Sequence, residues 1–132
     1  MDSYQPGLLA KLRRTSFEDR KILLASLELT LIECVHIWHA AAQIPDVRAL
    51  VAKRALLMAR TLDERITVAE SLRERPQRKV IRIIQKDFTF VRDEDLDPND
   101  IERLMNSTCR CLRRLGRRRL AARQRLADAL AH

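Results

Sequence analysis

From Ile101 to Leu130 the apolar and the basic residues of this chain separate onto opposite sides of a helix, and a segment so divided must lay one side against a core. Placed at intervals of about 100°, Ile101, Leu104, Met105, Thr108, Leu112, Leu115, Leu126 and Leu130 share one sector. Arg103, Arg110, Arg113, Arg114, Arg117, Arg118 and Arg125 share the other. The rest of the chain must supply the apolar partners, because packing supplies most of the stability of such a helix.

Those partners are expected to be helices too. The sequence holds only two glycines and one tyrosine, and leucine, alanine and arginine dominate it, a balance that favours helix over sheet. At 132 residues, with 46% hydrophobic and 33% charged side chains, the chain suits one ordered domain. A chain of this size buries roughly two-thirds of the surface its unfolded form exposes.

Prolines at 45, 76 and 98 divide the chain into four helical segments. The first is expected from about Phe17 to Ala42, opened by Ser16 with Asp19 three residues on in the manner of a capping box. The second runs from about Asp46 to Arg75, with Pro45 in its first turn and a fresh Thr61/Glu64 box able to break it. For the third, Arg78 to about Val91, helical spacing competes with a β-branched stretch from Val80 to Ile84; helix is preferred because no second strand offers pairing. Asp97-Pro98-Asn99-Asp100 opens the fourth. The expected fold is therefore all-α: a four-helix-type bundle over residues 16–132, with a long amphipathic Arg-rich C-terminal helix and a short N-terminal arm over 1–15.

The most apolar stretch, Ile22 to Ile44, carries Glu28 and Glu33, so no transmembrane segment is expected. The start MDSYQPGLLAKLRR lacks the basic-then-apolar order of a secretory signal, and a cytoplasmic setting is expected. Cys34, Cys109 and Cys111 are an odd number, and a two-residue offset on a helix points the last two apart. They read as reduced thiols.

The net charge of +8 is uneven. Residues 1–43 balance, residues 44–86 hold eleven basic against five acidic side chains, residues 87–102 one against seven, and residues 103–132 nine against one. Such a field draws polyanions or acidic protein surfaces toward the basic segments. Guanidinium groups bind phosphate oxygens bidentately and stay charged at every physiological pH, so the arginine row can follow a nucleic-acid backbone without reading its sequence. Solvated helix faces usually interleave glutamate with lysine, whereas Arg103 to Arg125 contains no acidic residue. The aromatics Tyr4, Phe17, Trp38, Phe88 and Phe90 fall mostly on core-like positions, which leaves little for stacking single strands.

Other constellations carry less chemistry. Glu28, Arg54, Arg65, Arg119 and Arg123 fall inside apolar sectors, so they form either structural ion pairs or an internal anion pocket, unless a phase shift at Gly116 turns Arg119 outward. Cys34, His36 and His39 spell CxHxxH, but Cys34 points away from both histidines and no further ligands stand nearby. Asp93, Asp95 and Asp97 imitate the start of a calcium loop, which fails where Pro98 replaces glycine and Leu104 replaces glutamate. The acidic connector can instead lie against the arginine face until a polyanion displaces it. No metal site, cofactor or catalytic constellation is expected, nor any phosphate-binding glycine loop or nucleophile elbow.

The sequence thus points to a non-enzymatic basic helical protein that binds nucleic-acid backbone through its C-terminal helix, as a homo-oligomer or an accessory subunit of a larger assembly. The alternatives are a helical adaptor, inhibitor or chaperone on an acidic protein partner, and an enzyme or sensor with an arginine-lined pocket.

Overall fold

The computed structural model describes residues 7–131, which leaves Tyr4 and the first part of the expected arm outside the described residues. Among the described residues it is all-helical, with no strand. The chain divides between Arg60 and Thr61 into two compact units.

The first unit holds α1 (Leu8–Arg14), α2 (Phe17–Ser26), α3 (Leu31–Ala40) and α4 (Pro45–Met58). The helix α1 occupies the segment read as an arm, and it forms because Leu8 and Leu12, four residues apart, are both buried. Ser16 caps α2 as expected, accepting from the Asp19 amide at 3.3 Å. The expected single helix from Phe17 to Ala42 is two helices. Leu27 turns extended at the end of α2, and Thr30 opens α3 through a full capping box with Glu33. Leu24, Cys34, Ile37, Trp38, Ala41, Val47, Val51 and Ala55 are buried in this unit, each large aliphatic contributing about 1.5–3 kcal/mol.

The second unit holds α5 (Leu62–Ser71), α6 (Glu74–Thr89), one 3-10 turn (Asp93–Asp95), α7 (Pro98–Met105) and α8 (Arg110–Ala131). Thr61 and Glu64 form the expected capping box and separate α5 from α4. Val80 to Ile84 is helical; Val80, Ile81, Ile84 and Phe88 are buried with helical periodicity. The helix begins earlier than the sequence suggests, with Pro76 inside its first turn, where a missing N–H costs nothing.

The segment from Asp97 onward is also two helices, separated at Asn106–Cys109. Glu70 of α5 braces the break, where the Ser107 hydroxyl also accepts from the Cys109 amide at 3.1 Å. Glu70 Oε2 accepts from the Thr108 amide at 2.9 Å and from the Ser107 hydroxyl at 3.1 Å, satisfying polar groups that a continuous helix would engage otherwise. Gly116 then lets α8 cross α7 closely: a Cβ there would lie 2.8 Å from Met105 Cγ and 3.0 Å from both Leu104 Cβ and the Met105 amide nitrogen. It lies inside unbroken helix, so no phase shift occurs at this point.

A single device joins many of these helix ends. The last carbonyls of a helix have no partner within it and carry partial negative charge. Here arginines reach across to them. Arg20 donates to Leu12 O, Arg48 to Trp38 O at 2.9 Å, Arg54 to Leu24 O at 2.7 Å and also to Leu27 O, and Arg73 to Glu70 O at 2.9 Å. Three more arginines hold connector carbonyls instead: Arg113 donates to Ser107 O at 3.0 Å and Thr108 O at 2.9 Å ahead of α8, Arg119 to Val91 O just past α6, and Arg123 to Leu96 O after the 3-10 turn.

Candidate functional site

The sequence-level arginines fall into two groups once their partners are known. Arg103, which the pattern placed on the basic face, sits at the α5/α7 junction. Its Nε donates to Asp63 at 2.8 Å and its Nη2 to Glu70 at 3.0 Å. Burial pushes the Glu70 carboxyl up, but the Thr108 amide, Arg103 and the Ser107 hydroxyl together outweigh it and hold the carboxyl below its usual range. Arg113 is likewise engaged, on the two carbonyls that lead into α8.

Arg110, Arg114, Arg117, Arg118 and Arg125 make no hydrogen bond or ion pair among the described residues, and all five are exposed. They lie within a sector of about 100° on α8, and the rise of about 1.5 Å per residue stretches them over roughly 22 Å. Opposite them Leu112, Leu115 and Gly116 are buried, so the core contact sets where the row points.

Between α6 and α8 lies an open cleft of about 510 Å³, lined by Gln85, Cys111, Arg114, Arg117 and Arg118. The α6 flank adds a second basic row that the sequence reading did not single out. Arg75, Arg78, Lys79, Arg82 and Lys86 are all exposed and, like the α8 row, without a partner among the described residues. The signal for it was legible in their i, i+3, i+4, i+7, i+11 spacing, opposite the apolar line Val80–Ile84–Phe88. Positive charge on α8 thus lines this cleft, and α6 carries an exposed basic row of its own, a field suited to a chain of anions.

The nearby carboxylates are engaged elsewhere. Asp87 pairs with Arg65, Asp93 with Arg119 at 3.3 Å, and Glu94 and Asp95 with Arg92 at 3.5 and 2.9 Å. Asp97 caps α7. The acidic connector is therefore anchored on Arg92, Arg119 and the α7 N-terminus, and not on the exposed α8 row.

The five charges read as inward-facing are distributed differently. Glu28 is exposed in the first unit, where Arg54 is bound to two carbonyls. In the second unit Arg65 holds Asp87, Arg119 holds Val91 O with Asp93, and Arg123 holds Leu96 O at 3.0 Å. Arg54, Arg119 and Arg123 thus serve helix ends and loops, and Arg65 ties α5 to α6.

Cys34 is fully buried; burial pushes its thiol up, opposed by Arg54 and reinforced by Glu33. His36 and His39 are exposed, His39 with its ring edge-on to Trp38 at 5.0 Å. All three cysteines are free thiols, and no group of three metal-ligating side chains meets among the described residues. No helix there is long and apolar enough to cross a membrane. Trp38 and Phe88 are core residues as expected, but Phe17 and Phe90 are exposed.

No protein-family model, curated protein or solved structure matches this chain.

Proposed function

We propose that this chain is a non-enzymatic binding protein that holds a nucleic-acid backbone against the basic face of α8, as a subunit of a larger assembly. The observation that carries this reading is the exposed row Arg110, Arg114, Arg117, Arg118 and Arg125, which has no counter-ion among the described residues. Surface arginines that merely solvate a helix are commonly interleaved with carboxylates, whereas no acidic residue lies between Arg110 and Arg125, and Arg114, Arg117 and Arg118 line an open cleft beside α6. Contacts of this kind neutralise phosphates and release counter-ions without reading bases, so binding is sequence-independent and falls steeply with salt. The assembly is suggested by Phe17, Ile22, Ile32 and Leu57, large apolar side chains that the first unit leaves exposed and that a protein contact would cover. A reducing compartment such as the cytoplasm accords with three free thiols.

The test is titration of the full chain with unrelated DNA and RNA, duplex and single-stranded, across a salt series. Five phosphate contacts give a log–log salt slope of about −4.5 on duplex DNA or about −3.5 on single strands. Reversing Arg110, Arg114, Arg117 and Arg118 to glutamate abolishes binding and leaves the helical content intact. If the wild-type chain binds no nucleic acid at low salt, the reading fails, and an acidic protein surface becomes the partner to seek.

A further inference from the structure

The basic row of α6 ends in an aromatic ring. Phe90 is the C-cap residue of α6, four positions beyond Lys86, and it is 82% exposed. Its backbone is still in the right-handed helical region, so the ring continues the helix surface that carries Arg75, Lys79, Arg82 and Lys86. Phe88, two positions earlier, is buried, and the alternation explains the exposure: the core takes Phe88 and the helix period turns Phe90 to the opposite side. Phe17, the other exposed phenylalanine, has Lys21 over its ring at 5.2 Å, whereas Phe90 makes no ring contact among the described residues.

A row of cations leading to an open aromatic face asks for a ligand with two properties: negative charges in series, and flat rings free to stack. Duplex nucleic acid hides its base faces inside the stack, and acidic protein surfaces carry no such repeating ring. A single strand offers both. We infer that α6 takes single-stranded nucleic acid, with a base stacked on Phe90 and the adjoining phosphates on Lys86 and Arg82. This inference rests on the nucleic-acid reading above and narrows it, and it departs from the expectation that the aromatics leave little for stacking single strands.

Binding of the full chain to oligothymidylate, oligouridylate and a mixed-sequence duplex separates the outcomes. Strands of about 16 nucleotides match the upper range for one small binding module. Phe90→Leu keeps an apolar side chain but removes the ring, and it weakens both single strands about five- to hundredfold while leaving duplex affinity unchanged. Phe90→Trp retains single-strand affinity, and its exposed indole is quenched on binding against the buried Trp38 background. Phe90 faces solvent, so far-UV circular dichroism of both variants matches wild type. If Phe90→Leu binds single strands as tightly as wild type, the inference is overturned, while the backbone-binding proposal stands on the remaining affinity. If wild type binds none of the three probes, both fall together. A preference for oligouridylate over oligothymidylate or the reverse identifies the strand chemistry, and the Phe90 effect is expected on whichever binds.

Discussion

Replacing Gly116 with alanine sets two opposed effects against each other within α8. In an exposed helix interior, alanine is favoured over glycine by about 1 kcal/mol. At this position the added methyl meets Met105 Cγ at 2.8 Å, Leu104 Cβ at 3.0 Å and the Met105 amide nitrogen at 3.0 Å. The first neighbour belongs to a flexible side chain and can swing away. The other two are fixed to the backbone of α7, so relief requires the two helices to part. Overpacking of this kind typically costs about 1–3 kcal/mol, which exceeds the propensity gain. Gly116→Ala is therefore expected to destabilise by about 1 kcal/mol net, or about 4 °C in the thermal midpoint for a chain of this size. Far-UV circular dichroism is the proper reporter, because the sole tryptophan, Trp38, lies in the other unit. Met105→Ala in the same chain should recover only part of the loss relative to Met105→Ala alone, since the two backbone-attached contacts remain. A midpoint that rises in Gly116→Ala would refute the close crossing and, with it, the reason why the α8 arginine row faces outward.

Removal of Glu70 leaves Arg103 with Asp63 alone and unpairs the Thr108 amide and the Ser107 hydroxyl, so Glu70→Ala is expected to cost about 2 kcal/mol in urea unfolding, a figure reduced for partial exposure. Its carboxyl is held below the unfolded value of about 4.3, so its contribution is complete above that pH and disappears as pH falls through the lower folded value. Glu70→Gln should accordingly flatten the acid limb of the stability profile, and an unchanged limb would count against the network. Arg54→Lys, which replaces the planar fork on Leu24 O and Leu27 O with a single ammonium, should lower stability by about 1 kcal/mol, with Arg118→Lys as a neutral control in the same thermal scan. A maleimide should label exposed Cys111 in the native state and spare Cys34 until unfolding; bound oligonucleotide should slow the Cys111 reaction, because that thiol lines the arginine cleft.

Helix as the dominant element was legible because apolar periodicity and the near-absence of glycine act on every segment at once. Helix boundaries were harder to read. Thr30 and Glu33 carry the same capping signature as Thr61 and Glu64, yet a continuous apolar line from Leu24 to Trp38 masked it. The break before α8 carries only a weak local signal, Asn106-Ser107-Thr108, where the Ser107 hydroxyl accepts from the Cys109 amide; its strongest brace comes from Glu70, 38 residues away in sequence from Thr108. The same limit applies to the site. A helical wheel places Arg103 and Arg113 with the exposed arginines, since it sees direction but not the carboxylates and carbonyls of neighbouring elements that claim them. Phe90 was assigned by hydrophobicity, although its position in the helix period already pointed it away from Phe88.

The carbonyl-bound guanidinium groups imply that this chain's arginines are under two different rules of replacement. At Arg20, Arg48, Arg54, Arg113, Arg119 and Arg123 the requirement is for a planar fork on a long stem that reaches a particular oxygen, and lysine drift there is expected to be selected against. At Arg110, Arg114, Arg117 and Arg125 only positive charge within reach of solvent is needed, so lysine should interchange with arginine freely over evolutionary time. Homologous sequences, once aligned, would therefore separate the joints of this fold from its working surface by the arginine-to-lysine ratio at each position.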